Sequence, residues 1–185
     1  MNMTRWIVPV LFLTLACQAC KKDSSSDEGP AKAIDAFLVR NNEIAGWTYA
    51  GSGWIANNIS ELTTYIDGAA ETYQRHGFVE AAHQEYQGSV NSKGALLKLT
   101  VYNQETKTNS MALYSDPVLG FTGAIDWTGG AGEAAHYARY GGLSQVLSFY
   151  RAGYYVSLEI NTDTEESLNV LKQFALNVDG KLKNG

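Results

Sequence analysis

Apolar positions recur through residues 58–78 (NISELTTYIDGAAETYQRHGF) with the spacing of a helix. Ile59, Leu62, Tyr65, Ile66, Ala69, Ala70 and Tyr73 follow the i, i+3, i+4, i+7 pattern, which predicts one amphipathic helix that buries this stripe. Asn58 with Glu61 after it predicts a capping box, and Gly77 is placed for a left-handed C-cap ahead of Phe78. A stripe of small and aromatic residues suits a helix that lies on a sheet. The rest of the chain supplies that sheet. Residues 46–55 (GWTYAGSGWI) predict a strand broken at Gly51–Gly53, with Trp47 and Tyr49 on one face by period-two alternation. Residues 78–86 and 95–102 predict an antiparallel hairpin with a loop over 87–94, and Leu97, Leu99 and Val101 alternate with Lys98 and Thr100. Residues 133–140, 143–151 and 154–160 predict a three-stranded meander, with a tight turn at Ala152–Gly153.

Three further helices are predicted. One starts at Pro30 and ends near Asn41 and Asn42, with Ala33, Ile34, Phe37 and Leu38 on its apolar side. A second lies within 104–116, packs through Met111, Ala112 and Leu113, and is stopped by Pro117. The last begins at Asp163, capped with Glu166, and carries the stripe Leu168, Leu171, Phe174, Ala175 and Val178. Residues 118–132 form a glycine-rich connection around Trp127, long enough to suggest function. The element order α, β, α, β, β, α, β, β, β, α predicts an α+β fold: a single domain over 30–185, with a mainly antiparallel sheet and helices packed on one face.

The first 29 residues are different in kind. Arg5 precedes a short apolar run, Trp6 to Ala16, too short to span a bilayer but right for a secretory signal over residues 1–16. Cys17 follows at once and Cys20 stands three further on. A small residue before a cysteine at the end of such a run resembles the lipobox of bacterial lipoproteins. That resemblance implies diacylation of the cysteine and cleavage just before it, at Cys17 or, as the alternative, at Cys20. The expected location is the cell envelope, on the periplasmic or outer side of a membrane. The C-x-x-C spacing also raises redox or metal chemistry, but no strand precedes it and no helix follows to lower a thiol pKa. Residues 17–29 are polar, serine-rich and charged, and predict a flexible tether.

Composition narrows the partners. The net charge is −5, and removing residues 1–16 leaves 13 basic against 19 acidic side chains, or −6. Such a surface does not attract nucleic acid or anionic lipid, so membrane attachment falls to the acyl chains. With both cysteines in the leader and tether, the domain is held by its core rather than by an internal disulfide.

The central stretch resembles an uncharacterised family of bacterial envelope proteins, a domain of unknown function. The resemblance rests on Gly46 and Trp47; on Tyr65, Ile66, Asp67, Gly68, Ala69, Ala70 and Glu71; on Tyr73, Gly77 and Phe78; and on Leu99–Tyr102, Ala112 and Gly153–Val156. The chain departs from the family pattern at Asp67, Ala69 and His76. The resemblance implies an envelope location and carries no activity.

Candidate chemistry is sparse. Asp67 and Glu71 are four apart on the predicted helix, with Arg75 four further on. Paired carboxylates in a cleft can split into an acid and a base, or take a hard cation. The alternative is a Glu71–Arg75 surface pair with Asp67 bonded locally. Gly68 in a helix interior suggests close approach of another element or a ligand. His76, His83 and His136 show no metal-binding pair spacing, no nucleophile elbow or phosphate loop is present, and no cofactor is expected. The aromatics Trp47, Trp54, Trp127, Tyr137, Tyr140, Tyr150, Tyr154 and Tyr155 suit a platform for a sugar or a protein partner, or else a core. The leading reading is a non-catalytic binding or assembly module. The alternative is an enzyme or sugar-binding protein that uses Asp67 and Glu71 with Trp47 or Trp127 in a cleft.

Overall fold

The computed structural model of the chain describes residues 32–185. The predicted leader, the tether and both cysteines lie outside the described residues. The first described element is a single 3-10 turn, Ile34–Phe37, where a longer helix was expected. Strands β1 (Thr48–Tyr49) and β2 (Trp54–Ala56) follow, separated at the predicted Gly51–Gly53 break. Then come helices α1 (Ile59–Ile66) and α2 (Ala70–Arg75), strands β3 (Glu80–Val90) and β4 (Lys93–Asn103), and helix α3 (Lys107–Tyr114). Strands β5 (Ile125–Asp126), β6 (Ala134–Arg139), β7 (Gln145–Arg151) and β8 (Tyr154–Ile160) lead into the long helix α4 (Glu165–Lys183). All eight strands form one antiparallel sheet in the order β1-β3-β4-β8-β7-β6-β5, with β2 also paired to β3. The fold is therefore α+β in a single unit, as the element order predicts.

The helices do not share a face. Period-two alternation gives each strand two faces, and both are covered. On one, Leu97, Leu99 and Val101 of β4, Leu147 and Phe149 of β7, and Val156, Leu158 and Ile160 of β8 pack with Leu171, Phe174, Ala175 and Val178 of α4. On the other, Ala81, Tyr102 and Tyr155 pack with Leu62, Ala70 and Tyr73 of α1 and α2 and with Leu113 of α3. The one-face arrangement fails because the central strands also bury large rings on their second side, Tyr102 of β4 and Tyr155 of β8, and these need a cover of their own.

Three local departures have identifiable causes. The predicted helix over 58–78 breaks at Asp67, whose φ of 46° and ψ of −140° end α1 and start a 3-10 turn into α2. Asp-Gly is turn chemistry, and here it overrides the helical period. The Asn58 cap forms as expected, Glu61 N donating to Asn58 Oδ1 at 3.0 Å. The loop expected over 87–94 is strand nearly throughout: β3 and β4 are joined by Asn91–Ser92, with φ values of 51° and 62°, as in a type I′ hairpin. The cap of α4 is Thr164, reciprocally bonded with Ser167, whereas Asp163 accepts from Arg139 and Gln145.

Buried charge ties α4 to the sheet. Arg151 grips Asp179 with two nitrogens and donates to Gly132 O at 2.9 Å, and Lys183 reaches Asp179 Oδ2 at 2.7 Å. Burial opposes the Asp179 charge, but Arg151 and Lys183 together hold its carboxyl below the usual range.

Candidate functional site

At one edge of the sheet, β1 and β2 both pair with β3 and leave residues 50–53 looped between them. The Gln84 amide bridges the gap, its Nε2 donating to Glu85 O at 2.8 Å and to Gly51 O at 3.4 Å. A side chain at Gly53 would run into the His83 carbonyl and Gln84 Oε1, so glycine keeps this edge open. Trp54 stands directly opposite His83 in the register and stacks on it at 5.0 Å with the rings 10° from parallel. Tyr65, on the last turn of α1, stacks on Trp54 at 4.4 Å and 4°. The result is a three-ring stack at the mouth of a cleft of about 500 Å³, lined also by Asp35, Tyr49, Ile55 and Gln84. Tyr49, Ile55 and Tyr65 are 40%, 43% and 48% exposed, so three large apolar surfaces converge here.

From this cleft a polar row crosses the whole sheet. Consecutive registers place Trp54, His83, Thr100, Ser157, Ser148, His136 and Asp126 side by side, one from each of seven strands. At ~4.8 Å per strand the row spans about 29 Å. His83 Nδ1 and Thr100 Oγ1 are hydrogen-bonded at 2.8 Å, as are His136 Nε2 and Ser148 Oγ. His136 lies between aromatic rings, stacked on Tyr114 at 4.4 Å and edge-on to Phe121 at 4.9 Å. Burial lowers the pKa of both histidines, against which Glu85 acts at His83 and Asp126 at His136. Ser148, His136 and Asp126 superficially resemble a hydrolytic triad, but Ser148 is fully buried and offers no nucleophile to a substrate.

The residues singled out in the sequence do not converge. Asp67 and Glu71 are exposed, lie on different segments, and line none of the cleft around Trp54 or the cavity at Trp127. The helical face they were expected to share is lost at the Asp67 break. Glu71 is not spent on Arg75 either: Arg75 reaches Asp116 Oδ2 at 3.0 Å, together with His76 Nε2 at 2.8 Å. The His76 bond, the Val118 amide and Arg75 hold the Asp116 carboxyl down at about 2. Space around Gly68 is open, so that glycine serves no close approach.

Trp47 is a core residue, 4% exposed, packed edge-on to Phe174 at 5.6 Å and laid over Gly88, where a side chain would collide with the indole. Trp127 is half-buried, with Lys172 Nζ 5.3 Å above its ring. It lines a second cavity of about 380 Å³, built largely from its own glycine-rich loop. Among the described residues no three His, Asp, Glu or Cys side chains are grouped to hold a metal ion. No described helix is long and apolar enough to cross a membrane.

Sequence reasoning placed Trp54 among eight aromatics without preferring it, and assigned Tyr65 to the buried stripe. The signal that would have found the cleft is the Gly51-Ser52-Gly53 break beside Trp54, because an interrupted edge strand leaves room at the sheet margin. No protein-family model, curated protein or solved structure matches the chain.

Proposed function

We propose that the chain is a lipid-anchored protein of a bacterial envelope, and that its domain is a non-catalytic binding module whose contact site is the cleft beside Trp54. One observation carries the binding reading. Scattered exposed apolar residues are normal on any surface, but Tyr49, Ile55 and Tyr65 gather on one concave site around a stacked tryptophan. The anchor reading rests on the apolar run Trp6–Ala16 followed by Cys17, with Cys20 as the alternative. A polar tether of about a dozen residues then separates the lipid from the domain.

Two measurements test this. Intact mass of the protein from its native membrane should show acyl chains and loss of the leader, with Cys17→Ser or Cys20→Ser abolishing the modification. A photo-crosslinking residue at Ile55 should form adducts in the cell envelope, and the same residue at Leu143, more exposed at 76% and four strands away, should not. An unacylated soluble protein sinks the anchor; equal labelling at both positions, or none at Ile55, sinks the cleft.

A further inference from the structure

We infer that the Trp54 cleft takes a neutral saccharide, with a pyranose ring laid on the outer face of Tyr65. This rests on the binding-module reading and names its ligand class. Shape comes first: about 500 Å³ of open cleft is within the range of small-ligand sites, roughly 300–1,000 Å³. Rigidity comes second. Tyr65 is nearly half exposed, yet it is held flat by Trp54, which His83 holds in turn. A ring already immobilised loses little rotamer freedom on binding, and its electron-rich face suits the axial C–H groups of a sugar.

The cleft sets acceptors beside the Trp54 indole N–H and the Tyr49 and Tyr65 hydroxyls. Gln84 Nε2 is engaged with two backbone carbonyls, leaving Oε1 as an acceptor. Asp35 adds a carboxylate. His83 stands behind Trp54 in the stack with Nδ1 committed to Thr100, so it supports the aromatic platform rather than the ligand. Donors and acceptors at the rim of an aromatic surface match a ligand rich in hydroxyls, each of which can donate and accept.

Charge sets the remaining selection. Asp35 is the one acidic side chain of the lining, and no lysine or arginine joins it. Phosphates and uronates are therefore repelled. A quaternary ammonium escapes that repulsion, but an aromatic cage needs ring faces turned inward. Trp54 has its faces stacked on Tyr65 and His83, so it presents an edge.

The test is titration of the mature chain with cellotetraose, maltotetraose, chitotetraose, tetragalacturonate and choline, followed by the Trp54 indole N–H resonance and by calorimetry. At least one neutral tetrasaccharide should bind and move that resonance. Tyr65→Ala should weaken it at least ~10-fold, and Tyr65→Phe, which keeps the face, by no more than about 3-fold. Tetragalacturonate should bind at least ~10-fold more weakly. If none of the three neutral sugars binds, or if choline alone moves the resonance, the saccharide assignment is overturned. The binding-module reading then stands or falls separately on the Ile55 adducts.

Discussion

The two faces of the sheet are made by the same strands and built to different rules. In β8, Val156, Leu158 and Ile160 face α4, while Tyr155, Ser157 and Glu159 face the other way. The α4 face is dry and continuous, closed by one 19-residue helix and clamped by the Arg151–Asp179 pair. The opposite face is covered only where α1, α2 and α3 lie, by short helices interrupted at Asp67. Beyond them run the polar row and, at the sheet margin, the Trp54 and His83 wall of the cleft. Apolar burial scales with area, so a long uninterrupted helix is the economical cover for a face whose task is stability. Short, broken cover leaves room for polar side chains. The polar row is therefore carried on the side of the strands opposite α4, while the cleft wraps their edge, drawing Trp54, His83 and Tyr65 from the row's side and Tyr49, Ile55 and Gln84 from the α4 side.

That division predicts a gradient of mutational effects. Phe174→Ala, in the middle of the dry face, should cost about 3–5 kcal/mol by urea unfolding, through lost burial and a cavity beside Trp47 and Tyr86. Asp179→Ala should cost about 3 kcal/mol, because it leaves Arg151 partly buried without its partner. A smaller loss in either case would mean that the α4 face is less tightly packed than its burial indicates.

Acid should expose the other face first. His83 and His136 have folded pKa values below 6.5, lowered by burial, so the unfolded chain takes up protons before the folded chain. Their contribution is complete above pH 6.5 and is lost as pH falls below it towards the folded values. Asp116, held near 2, contributes above its ordinary 3.8 and loses that contribution as pH falls through about 2. The urea midpoint should therefore decline in two stages, and a His83→Gln, His136→Gln double variant should flatten the upper stage only. An unchanged upper stage would place its cause outside the row.

The smallest effect concerns the break itself. Asp67 sits at a positive φ, a conformation that glycine adopts without strain. Asp67→Gly should raise stability by about 1 kcal/mol, read as a small increase in melting temperature. A loss instead would show that the aspartate side chain supports the turn.

Much of this architecture is legible in the chain. The alternation of Leu97, Leu99 and Val101 and the stripe Leu168, Leu171, Phe174, Ala175, Val178 predicted the dry face directly, since one period recurs with little interruption. The second face was harder. Tyr65 fits the buried stripe by spacing, yet it stays nearly half exposed and stacks on a tryptophan eleven residues earlier. The polar row is invisible to any local window, because each strand contributes a single residue and only the registers align them. Asp67 and Glu71 drew attention by helical spacing that the turn removes. Tertiary geometry, not composition, made the cleft.

The most direct measurement is Tyr65→Ala followed for stability and ligand binding on the same sample. Tyr65 lies on the open face and loses one stacking contact, about 0.5–1.5 kcal/mol, so the melting temperature should move by only a few degrees. Binding of the neutral tetrasaccharide should fall at least ~10-fold. A large drop in melting temperature with binding unchanged would contradict the account, because it would make Tyr65 a core residue and leave the cleft without its function.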